Sequence, residues 1–405
     1  MSIVKGNLLY GQSGGPTSVI NATAYGVITE AKKHPEIGHV YCMVNGIVGA
    51  IKDNVVCMDD VPSERLELLK QTPGAAFKSA RYKLTDYWKD DSEYQKILAT
   101  LKKYDIRYIL FNGGNDSMDT SDKLMHFLDT VDYECLIMGL PKTIDNDLVY
   151  TDHCPGFGSA AKFVANTMTQ IATDLEAYPS GKVTVVEIMG RNAGWLTAAS
   201  CIANLAGCGP DLIYLPELPF SILKFKKDVA RLYEMNKRCL VAVSEGIRDA
   251  EGMVYGESPA SKDSFGHAQL GGVATMLANV IKTDLGYPSR GIEFNAMQRA
   301  STYLLSKTDM EESVAIGEEA VRWILRGETR QMLCMKREPG PVYKISYFGQ
   351  PLPDIANGEK LIPRQMINTD GNGVTQEFFE YVRPLILGET FPQYKNGVIE
   401  MFRLK

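Results

Sequence analysis

The feature that most constrains the fold is a pattern in which a short apolar run is followed by glycine-rich residues and then by a helical pattern. The first copy joins residues 8–10 to the turn at residues 11–16, and the second joins residues 108–111 to the turn at residues 112–117. Continuous apolar runs are typical of strands that are buried on both faces. Strands that alternate with helices predict βαβ units and a mainly parallel sheet, so the predicted fold class is α/β.

Further apolar runs extend this pattern along the chain. They lie at residues 40–44, 136–138, 183–188, 212–215 and 240–243. Ligands of open parallel sheets bind beyond the carboxyl ends of the strands, where the glycine-rich turns fall. We therefore expect the chemistry of the protein at the turns that follow these strands.

Length and charge limit the classes of protein that fit. The chain has 405 residues and a net charge of −6, so we expect two domains or two lobes and no nucleic-acid or membrane partner. No apolar run approaches the ~18 residues that span a bilayer, and the first residues lack the apolar segment of a secretory signal. The eight cysteines form no Cys-x-x-Cys pair, which predicts reduced thiols in a cytoplasmic protein.

Two of the glycine turns are candidate phosphate sites. The turn at residues 11–15 opens a predicted helix, whose free N–H groups and dipole attract anions, although a tight strand-to-helix turn explains it equally well. The second turn reads Gly113-Gly114-Asn115-Asp116-Ser117. Its polar oxygens can face a phosphate-bound Mg²⁺, or Asp116 or Ser117 can cap the following helix.

A third segment carries several chemical groups within seven residues. It reads Pro141-Lys142-Thr143-Ile144-Asp145-Asn146-Asp147 and follows a predicted strand. Phosphoryl transfer needs cations on the migrating group and a carboxylate that takes the proton of the acceptor hydroxyl. The segment can supply both groups, and its alternative interpretation is a solvated polar loop.

Arginine and glutamate follow other predicted strands. Arg191 ends a Met189-Gly190-Arg191 turn, Glu245 follows the run at 240–243, and Arg290 ends the segment that begins at Tyr287. An arginine after a glycine turn suits a bidentate grip on phosphate, and Glu245 could bond sugar hydroxyls. Taken alone, each of these residues could equally be a solvated side chain on the protein surface. Together, most of the candidates fall where one active site of an α/β protein would lie.

These motifs resemble the phosphofructokinase family. The set comprises Gly14-Gly15, the turns at 113–117 and 141–147, Pro155-Gly156-Phe157-Gly158, Met189-Gly190-Arg191 and Tyr287-x-x-Arg290, in the family's order over about residues 7–300. The resemblance implies two similar three-layer α/β/α lobes with mainly parallel sheets and an active site in the cleft between them. It implies a donor-binding lobe of residues 1–155 plus about 291–405, which includes a C-terminal extension, and a sugar-phosphate-binding lobe of residues 156–290.

The resemblance also implies roles for individual residues. Asp145 is similar to the general base that deprotonates the 1-hydroxyl of fructose 6-phosphate, and Lys182 stands where ATP-dependent members carry an arginine that reaches a neighbouring subunit's substrate. The implied sugar-phosphate contacts are Thr143, Ile144, Asp145, Met189, Gly190, Arg191, Glu245, Tyr287, Pro288, Ser289, Arg290 and Lys182. The implied diphosphate contacts are Gly14, Gly15, Arg81 and Gly114.

Two positions indicate the phosphoryl donor. ATP-dependent members typically carry glycine where this chain has Asp116 and glycine where it has Lys142, and the present pattern resembles the pyrophosphate-dependent branch. Asp116 would place negative charge where the α-phosphate of ATP must lie. Lys142 would add a cation beside the migrating phosphoryl group. We therefore predict that both act with Asp145 as catalytic residues.

The metal site departs from the family pattern. Asn115 stands where the family usually carries a metal-binding aspartate, and Asp147 is the other predicted ligand. A neutral ligand can suffice for Mg²⁺, which keeps several waters and binds substrate phosphates.

The predicted function is reversible phosphoryl transfer from pyrophosphate to fructose 6-phosphate, a step of glycolysis or gluconeogenesis. The resemblance further implies a homodimer or homotetramer with Mg²⁺ as cofactor. Three alternatives stay open: an ATP-dependent kinase, the same chemistry on sedoheptulose 7-phosphate, and a non-catalytic sugar-phosphate-binding subunit.

Overall fold

The computed structural model describes residues 5–256, 258–262, 268–269, 271–356 and 358–404. The strands are β1 (Gly6–Gln12), β2 (Ile37–Met43), β3 (Val55–Cys57), β4 (Ile106–Gly113), β5 (Leu136–Pro141), β6 (Val183–Ile188), β7 (Leu212–Tyr214), β8 (Cys239–Ser244), β9 (Ser258–Lys262), β10 (Ala268–Gln269), β11 (Ser289–Glu293), β12 (Gln331–Arg337), β13 (Ile345–Pro351), β14 (Tyr394–Lys395) and β15 (Val398–Ile399). The α-helices are α1 (Ile20–Ala31), α2 (Ile47–Ile51), α3 (Ser63–Glu67), α4 (Ser92–Lys103), α5 (Asn115–Thr130), α6 (Phe157–Glu176), α7 (Trp195–Ala198), α8 (Ile222–Asn236), α9 (Val273–Val280), α10 (Met297–Ala300), α11 (Lys307–Leu325), α12 (Leu352–Ala356) and α13 (Gln376–Val382).

A seven-stranded sheet forms the centre of the larger lobe, in the order β13-β12-β5-β4-β1-β2-β3. The strands from β12 to β2 run parallel, whereas β13 and β3 pair antiparallel at the two edges. On β1, Leu8 and Tyr10 pack in the core that α1 and α11 cover, and Leu9 packs in the core that α4 and α5 cover. Burial on both faces accounts for the continuous apolar run in this strand.

The smaller lobe is built around a four-stranded parallel sheet in the order β11-β6-β8-β7. Val186 and Ile188 pack against α6, while Val183 and Val185 pack against the side that α8 and α9 cover. Each lobe is therefore a helix–sheet–helix sandwich, and the predicted two-lobe α/β fold is confirmed. The lobes differ in size, because only the larger sheet gains the added strands β12 and β13.

The predicted apolar runs became strands β1, β2, β4, β5, β6, β7 and β8. The sequence pattern did not identify β3, β11, β12 or β13. The predicted lobe boundary at residue 290 falls inside β11, so the smaller sheet continues as far as Glu293.

The C-terminal extension contacts both lobes. Strands β12 and β13 join the larger sheet, and α11 packs on α1. Further along, Ile362, Phe378 and Val382 enter the core beside α6 of the smaller lobe. The residues after about 291, which the prediction assigned to the donor-binding lobe, thus pack on both lobes. Among the described residues, no helix combines the length and apolar character that a membrane span requires.

Helices α1 and α11 approach closely at two glycines. A Cβ atom on Gly26 would lie 2.1 Å from the carbonyl oxygen of Val314, and one on Gly317 would lie 2.4 Å from that of Thr23. These contacts are with backbone atoms, which cannot move aside as a flexible side chain can. The packing of α11 on the larger sheet therefore depends on the absence of side chains at both positions.

We expect Gly26→Ala to lower the melting temperature by about 1–3 °C, because overpacking costs about 1–3 kcal/mol and outweighs the gain in helix propensity. Differential scanning calorimetry measures the change. Thr29→Ala is the control, since among the described residues the Thr29 hydroxyl bonds within its own helix, to the carbonyl oxygens of Tyr25 and Gly26. A higher melting temperature for Gly26→Ala would contradict the close approach of the helices.

Candidate active site

Three predicted turns meet at the carboxyl edge of the larger sheet. Because β1, β4 and β5 are neighbours, the turns that follow them lie side by side. The backbone N–H of Ser13 donates to the carbonyl oxygen of Asn112 at 2.9 Å, and the N–H of Lys142 donates to that of Gly113 at 3.1 Å. The sheet order therefore brings the three sequence motifs into one site.

Lys142 carries a buried ammonium group at this edge. The residue is 4% exposed, and a Cβ atom on Gly14 would lie 3.1 Å from its Nζ atom. Gly14 has a φ of +76°, a conformation that favours glycine. Burial lowers the pKa of Lys142 to about 8, although the charges of Asp145 and Asp147 act in the opposite direction.

Two arginines join Lys142 around the first glycine turn. A Cβ atom on Gly15 would lie 3.3 Å from a guanidinium nitrogen of Arg299 and 3.9 Å from one of Arg81. Burial lowers the pKa of Arg299, and the charge of Arg81 lowers it further. Cations that repel one another across a glycine turn form a site for a small polyanion.

Arg299 is a site residue that the sequence analysis missed. It lies on the short helix α10, away from the turns that directly follow apolar runs. In the sequence, Arg299 is simply an arginine nine residues after Arg290, and no local pattern connects it with the first glycine turn. Arg81, in contrast, was predicted, and it lies beside Arg299 as a diphosphate contact would require.

Asp145 lies between the cations of the two lobes. Its backbone N–H donates to Thr143 Oγ1 at 3.1 Å, and that hydroxyl donates to Asp145 Oδ2 at 3.3 Å. Burial raises the pKa of Asp145, while Lys142, the Thr143 hydroxyl, Arg299 and Arg191 act to lower it. The carboxylate is therefore desolvated but surrounded by positive charge, a setting suited to accepting a proton.

The smaller lobe supplies the facing wall of the cleft. Arg191 follows β6 and Glu245 follows β8, the neighbouring strand. The backbone N–H of Gly190 donates to a Glu245 carboxylate oxygen at 3.4 Å. Burial, and next the charge of Asp145, raise the pKa of Glu245 to about 7, so the two carboxylates interact electrostatically.

The predicted metal ligands fit a divalent cation. Asn115 Nδ2 donates to the carbonyl oxygen of Gly358 at 2.9 Å, and Asn115 Oδ1 is buried without a hydrogen-bond partner among the described residues. Burial, and then the charges of Asp145 and Glu359, raise the pKa of Asp147 to about 7. An unpaired amide oxygen and a poorly stabilised carboxylate are ligands that Mg²⁺ or a similar hard cation prefers.

Asp116 is exposed in the first turn of α5. The N-cap of this helix is Gly114, and no side chain caps it within the described part of the chain, so the alternative that Asp116 or Ser117 acts as the cap is wrong. A carboxylate at this helix end is stabilised by the helix dipole. Asp116 therefore adds negative charge beside the glycine turn while remaining accessible.

The structure does not bring Lys182 and the segment from Tyr287 to Arg290 to this cleft. Arg290 pairs with Thr184 at the start of β6, the end opposite to Met189. Lys182 and Arg290 line a separate cavity of about 270 Å³. The segment runs into the first residues of β11, at the end of the sheet opposite to the cleft.

The predicted contacts in this segment have partners of their own. The Tyr287 ring stacks on Tyr233 at 4.2 Å between centroids, and the Ser289 hydroxyl donates to the carbonyl oxygen of Ala278. The carbonyl oxygen of Pro288 accepts the N–H of Val183. Within one chain, these residues serve the packing of the smaller lobe.

A family model described as "Phosphofructokinase" matches residues 7–324. The chain belongs to the phosphofructokinase family. It is 43% identical to a pyrophosphate–fructose 6-phosphate 1-phosphotransferase of Xanthomonas campestris pv. campestris, over 100% of this chain and 97% of that protein. It is 40% identical to a protein of the same name from Halomonas elongata, over 98% and 96% of the two chains.

A solved structure extends the similarity to the whole fold. The crystal structure of a pyrophosphate-dependent phosphofructokinase from Marinobacter aquaeolei matches with a TM-score of 0.88 and 37% identity, covering 99% of this chain and 96% of that one. The family that the sequence motifs predicted is thus confirmed. The similarity includes the C-terminal residues, where the sequence motifs of the family were least informative.

Glu245 makes stability depend on pH. Its folded pKa of about 7 exceeds the ordinary value near 4.3, so its contribution to stability is full below about pH 4 and is lost as the pH rises through 7. We expect Glu245→Gln, which cannot ionise, to reduce the fall in melting temperature between pH 5 and pH 7.5. The exposed Glu64→Gln is the control, and an unchanged fall in Glu245→Gln would disprove the raised pKa.

Proposed function

We propose that this protein transfers a phosphoryl group reversibly from pyrophosphate to the 1-hydroxyl of fructose 6-phosphate, giving fructose 1,6-bisphosphate and phosphate. The observation that carries the proposal is the convergence of Lys142, Arg81 and Arg299 on the first glycine turn, with Asp145 beside them. Relatives over nearly the whole chain carry the name of this activity, which supports both the donor and the acceptor.

Asp145 acts as the general base of the forward reaction. It takes the proton of the 1-hydroxyl as that oxygen forms a bond to phosphorus, and the bond from phosphorus to the bridging oxygen of pyrophosphate breaks. Lys142, Arg81 and Arg299 neutralise the charge that develops on the transferred group and on the departing phosphate. Fixed charges of this kind stabilise the transition state without reorganisation during the reaction.

The smaller lobe binds the sugar phosphate. Arg191 and Glu245 face Asp145, and the Thr143 hydroxyl stands next to it, so an acceptor sugar in the cleft has both cationic and hydrogen-bonding partners. Lys182 and Arg290 face a different cavity, and we propose that they serve the site of a neighbouring copy. This arrangement supports a homodimer or homotetramer.

A divalent metal accompanies the reaction, and we propose that it is Mg²⁺. When bound, the cation neutralises phosphate oxygens and orients the donor. The residues that would hold it are Asn115, through its unpaired Oδ1, and Asp147.

We also propose that the protein is cytoplasmic and acts in glycolysis. All eight cysteines are free thiols, which is consistent with a reducing compartment.

For Asp145→Asn, we expect kcat to fall by about 10²-fold or more with only a modest change in KM, because the amide cannot accept the hydroxyl proton. Steady-state kinetics with pyrophosphate and fructose 6-phosphate provide the measurement. Asp105→Asn changes an exposed aspartate far from the cleft and serves as the control. A rate close to wild type in Asp145→Asn would exclude the base role.

The donor proposal has its own test. With Mg²⁺ and fructose 6-phosphate, we expect turnover with pyrophosphate and none with ATP. Combined Asp116→Gly and Lys142→Gly should lower kcat/KM for pyrophosphate by at least ~10²-fold, since a charge that contacts the migrating group is removed. Asp116→Asn removes the charge and keeps the size of the side chain, so it shows whether the charge or the size of Asp116 matters. Turnover with ATP alone, or unchanged pyrophosphate kinetics in the double variant, would disprove the donor assignment.

A further inference from the structure

The loop that carries Asp145 and Asp147 has an unusual backbone. Asn146, between the two carboxylates, is fully buried and has a φ of +56°. This left-handed conformation is uncommon for residues other than glycine and persists when the surroundings fix it. Asn146 Oδ1 accepts the N–H of Cys154 at 2.9 Å, and Nδ2 donates to the Tyr381 hydroxyl at 2.8 Å. The shape of the loop therefore depends on contacts from outside it.

Lys360 makes the most extensive of these contacts. Its ammonium group donates to the carbonyl oxygens of Asp152 at 2.8 Å and Thr151 at 3.0 Å, and to Asn146 Oδ1 at 3.4 Å. Its backbone N–H donates to the carbonyl oxygen of Asp147 at 2.7 Å. One residue of the C-terminal extension thus holds both ends of the loop from residue 146 to residue 152. All four acceptors are neutral oxygens, and the nearby charges of Asp152 and Asp147 also favour the ammonium form of Lys360, whose pKa is lowered by burial.

Lys360 also connects the loop with the smaller lobe. Its carbonyl oxygen accepts the indole N–H of Trp195 at 2.8 Å, and its ammonium lies 5.2 Å from the centroid of the Trp195 ring. Trp195 begins α7, four residues after Arg191. The same lysine therefore ties the segment that carries Asp145 to the segment that carries Arg191, on opposite sides of the cleft.

Tyr381 completes this support. Its hydroxyl donates to the carbonyl oxygen of Asp152 at 2.7 Å while it accepts from Asn146, and its ring lies 5.2 Å from that of Trp195. Tyr381 lies on α13, so two separate elements of the C-terminal extension reach the same loop. In the described part of the chain, the side chains of Lys360 and Tyr381 make no hydrogen bond to the side chain of Asp145 or Lys142.

We propose that Lys360 is a positioning residue, which together with Tyr381 holds the loop of Asp145 in its active shape and aligns it with Arg191. The proposal rests on the function proposed above for Asp145. In this proposal the C-terminal extension does more than complete the two cores. It also positions the catalytic loop. A displacement of about 1 Å in a catalytic group can cost about 10²-fold in rate, so loss of these bonds should be visible in kcat.

Lys360→Met tests the proposal, because methionine keeps most of the side-chain volume and removes all three ammonium bonds. We expect kcat to fall by about 10–100-fold, with KM for both substrates changing by less than about threefold. Lys360→Arg should recover part of the rate, because the guanidinium can donate to some of the same oxygens. The control is Lys336→Met, an exposed lysine on β12, which should leave kcat unchanged.

A double-variant cycle separates positioning from general stability. If Lys360 acts through Asp145, Lys360→Met combined with Asp145→Asn should be no slower than Asp145→Asn alone. Additive losses would overturn the proposal, as would wild-type kcat in Lys360→Met. If Asp145→Asn itself keeps the wild-type rate, the proposed function fails instead, so the two failures are distinguishable.

Tyr381→Phe provides a milder variant if Lys360→Met does not fold. It removes only the hydroxyl that bonds Asp152 and Asn146, and we expect kcat to fall by about three- to tenfold with KM nearly constant. Unchanged kcat in Tyr381→Phe would overturn the proposal in that case.

Discussion

The site depends on one electrostatic arrangement, the burial of the Lys142 ammonium group beside the carboxylate of Asp145. A desolvated cation is costly unless charges or hydrogen bonds compensate it, and here Asp145 and Asp147 do so. Arg81 and Arg299 add further positive charge at the first glycine turn, which Lys142 also approaches. The result is a cleft in which three cations lie near the carboxylates of Asp145 and Asp147. A polyanion with a metal ion would complete this arrangement, and this explains how a chain with a net charge of −6 can bind phosphates.

The fold serves this arrangement in two ways. The parallel order of β5, β4 and β1 places three separate turns at one edge, and glycine at residue 14 leaves space for the ammonium group of Lys142. The C-terminal extension then joins both lobes, since its apolar residues enter the core beside α6 and Lys360 bonds the loop of Asp145. The extension therefore links the stability of the lobes to the geometry of the cleft.

Much of this could be predicted from the sequence, and the exceptions share a physical reason. Strands buried on both faces leave continuous apolar runs, so β1, β4 and β6 were recognisable, as were Lys142 and Asp145 in the turns next to such strands. Arg299 was missed because the strand that precedes its short helix, β11, has no continuous apolar run. Lys360 was missed because most of its partners are backbone oxygens, which no motif encodes. That Arg290 lies away from the cleft of its own chain could not be predicted, because a local pattern does not show which end of a strand faces the cleft.

The most direct test of this account is the pKa of Lys142, followed by NMR of protein labelled with ¹³C at the lysine ε-carbons and assigned with Lys142→Arg. We predict a pKa of about 8 in the free protein, because burial disfavours the charged ammonium. Added pyrophosphate should raise this pKa, since the bound anion favours the charged form. An ordinary lysine pKa near 10.4 that does not respond to pyrophosphate would contradict the central claim.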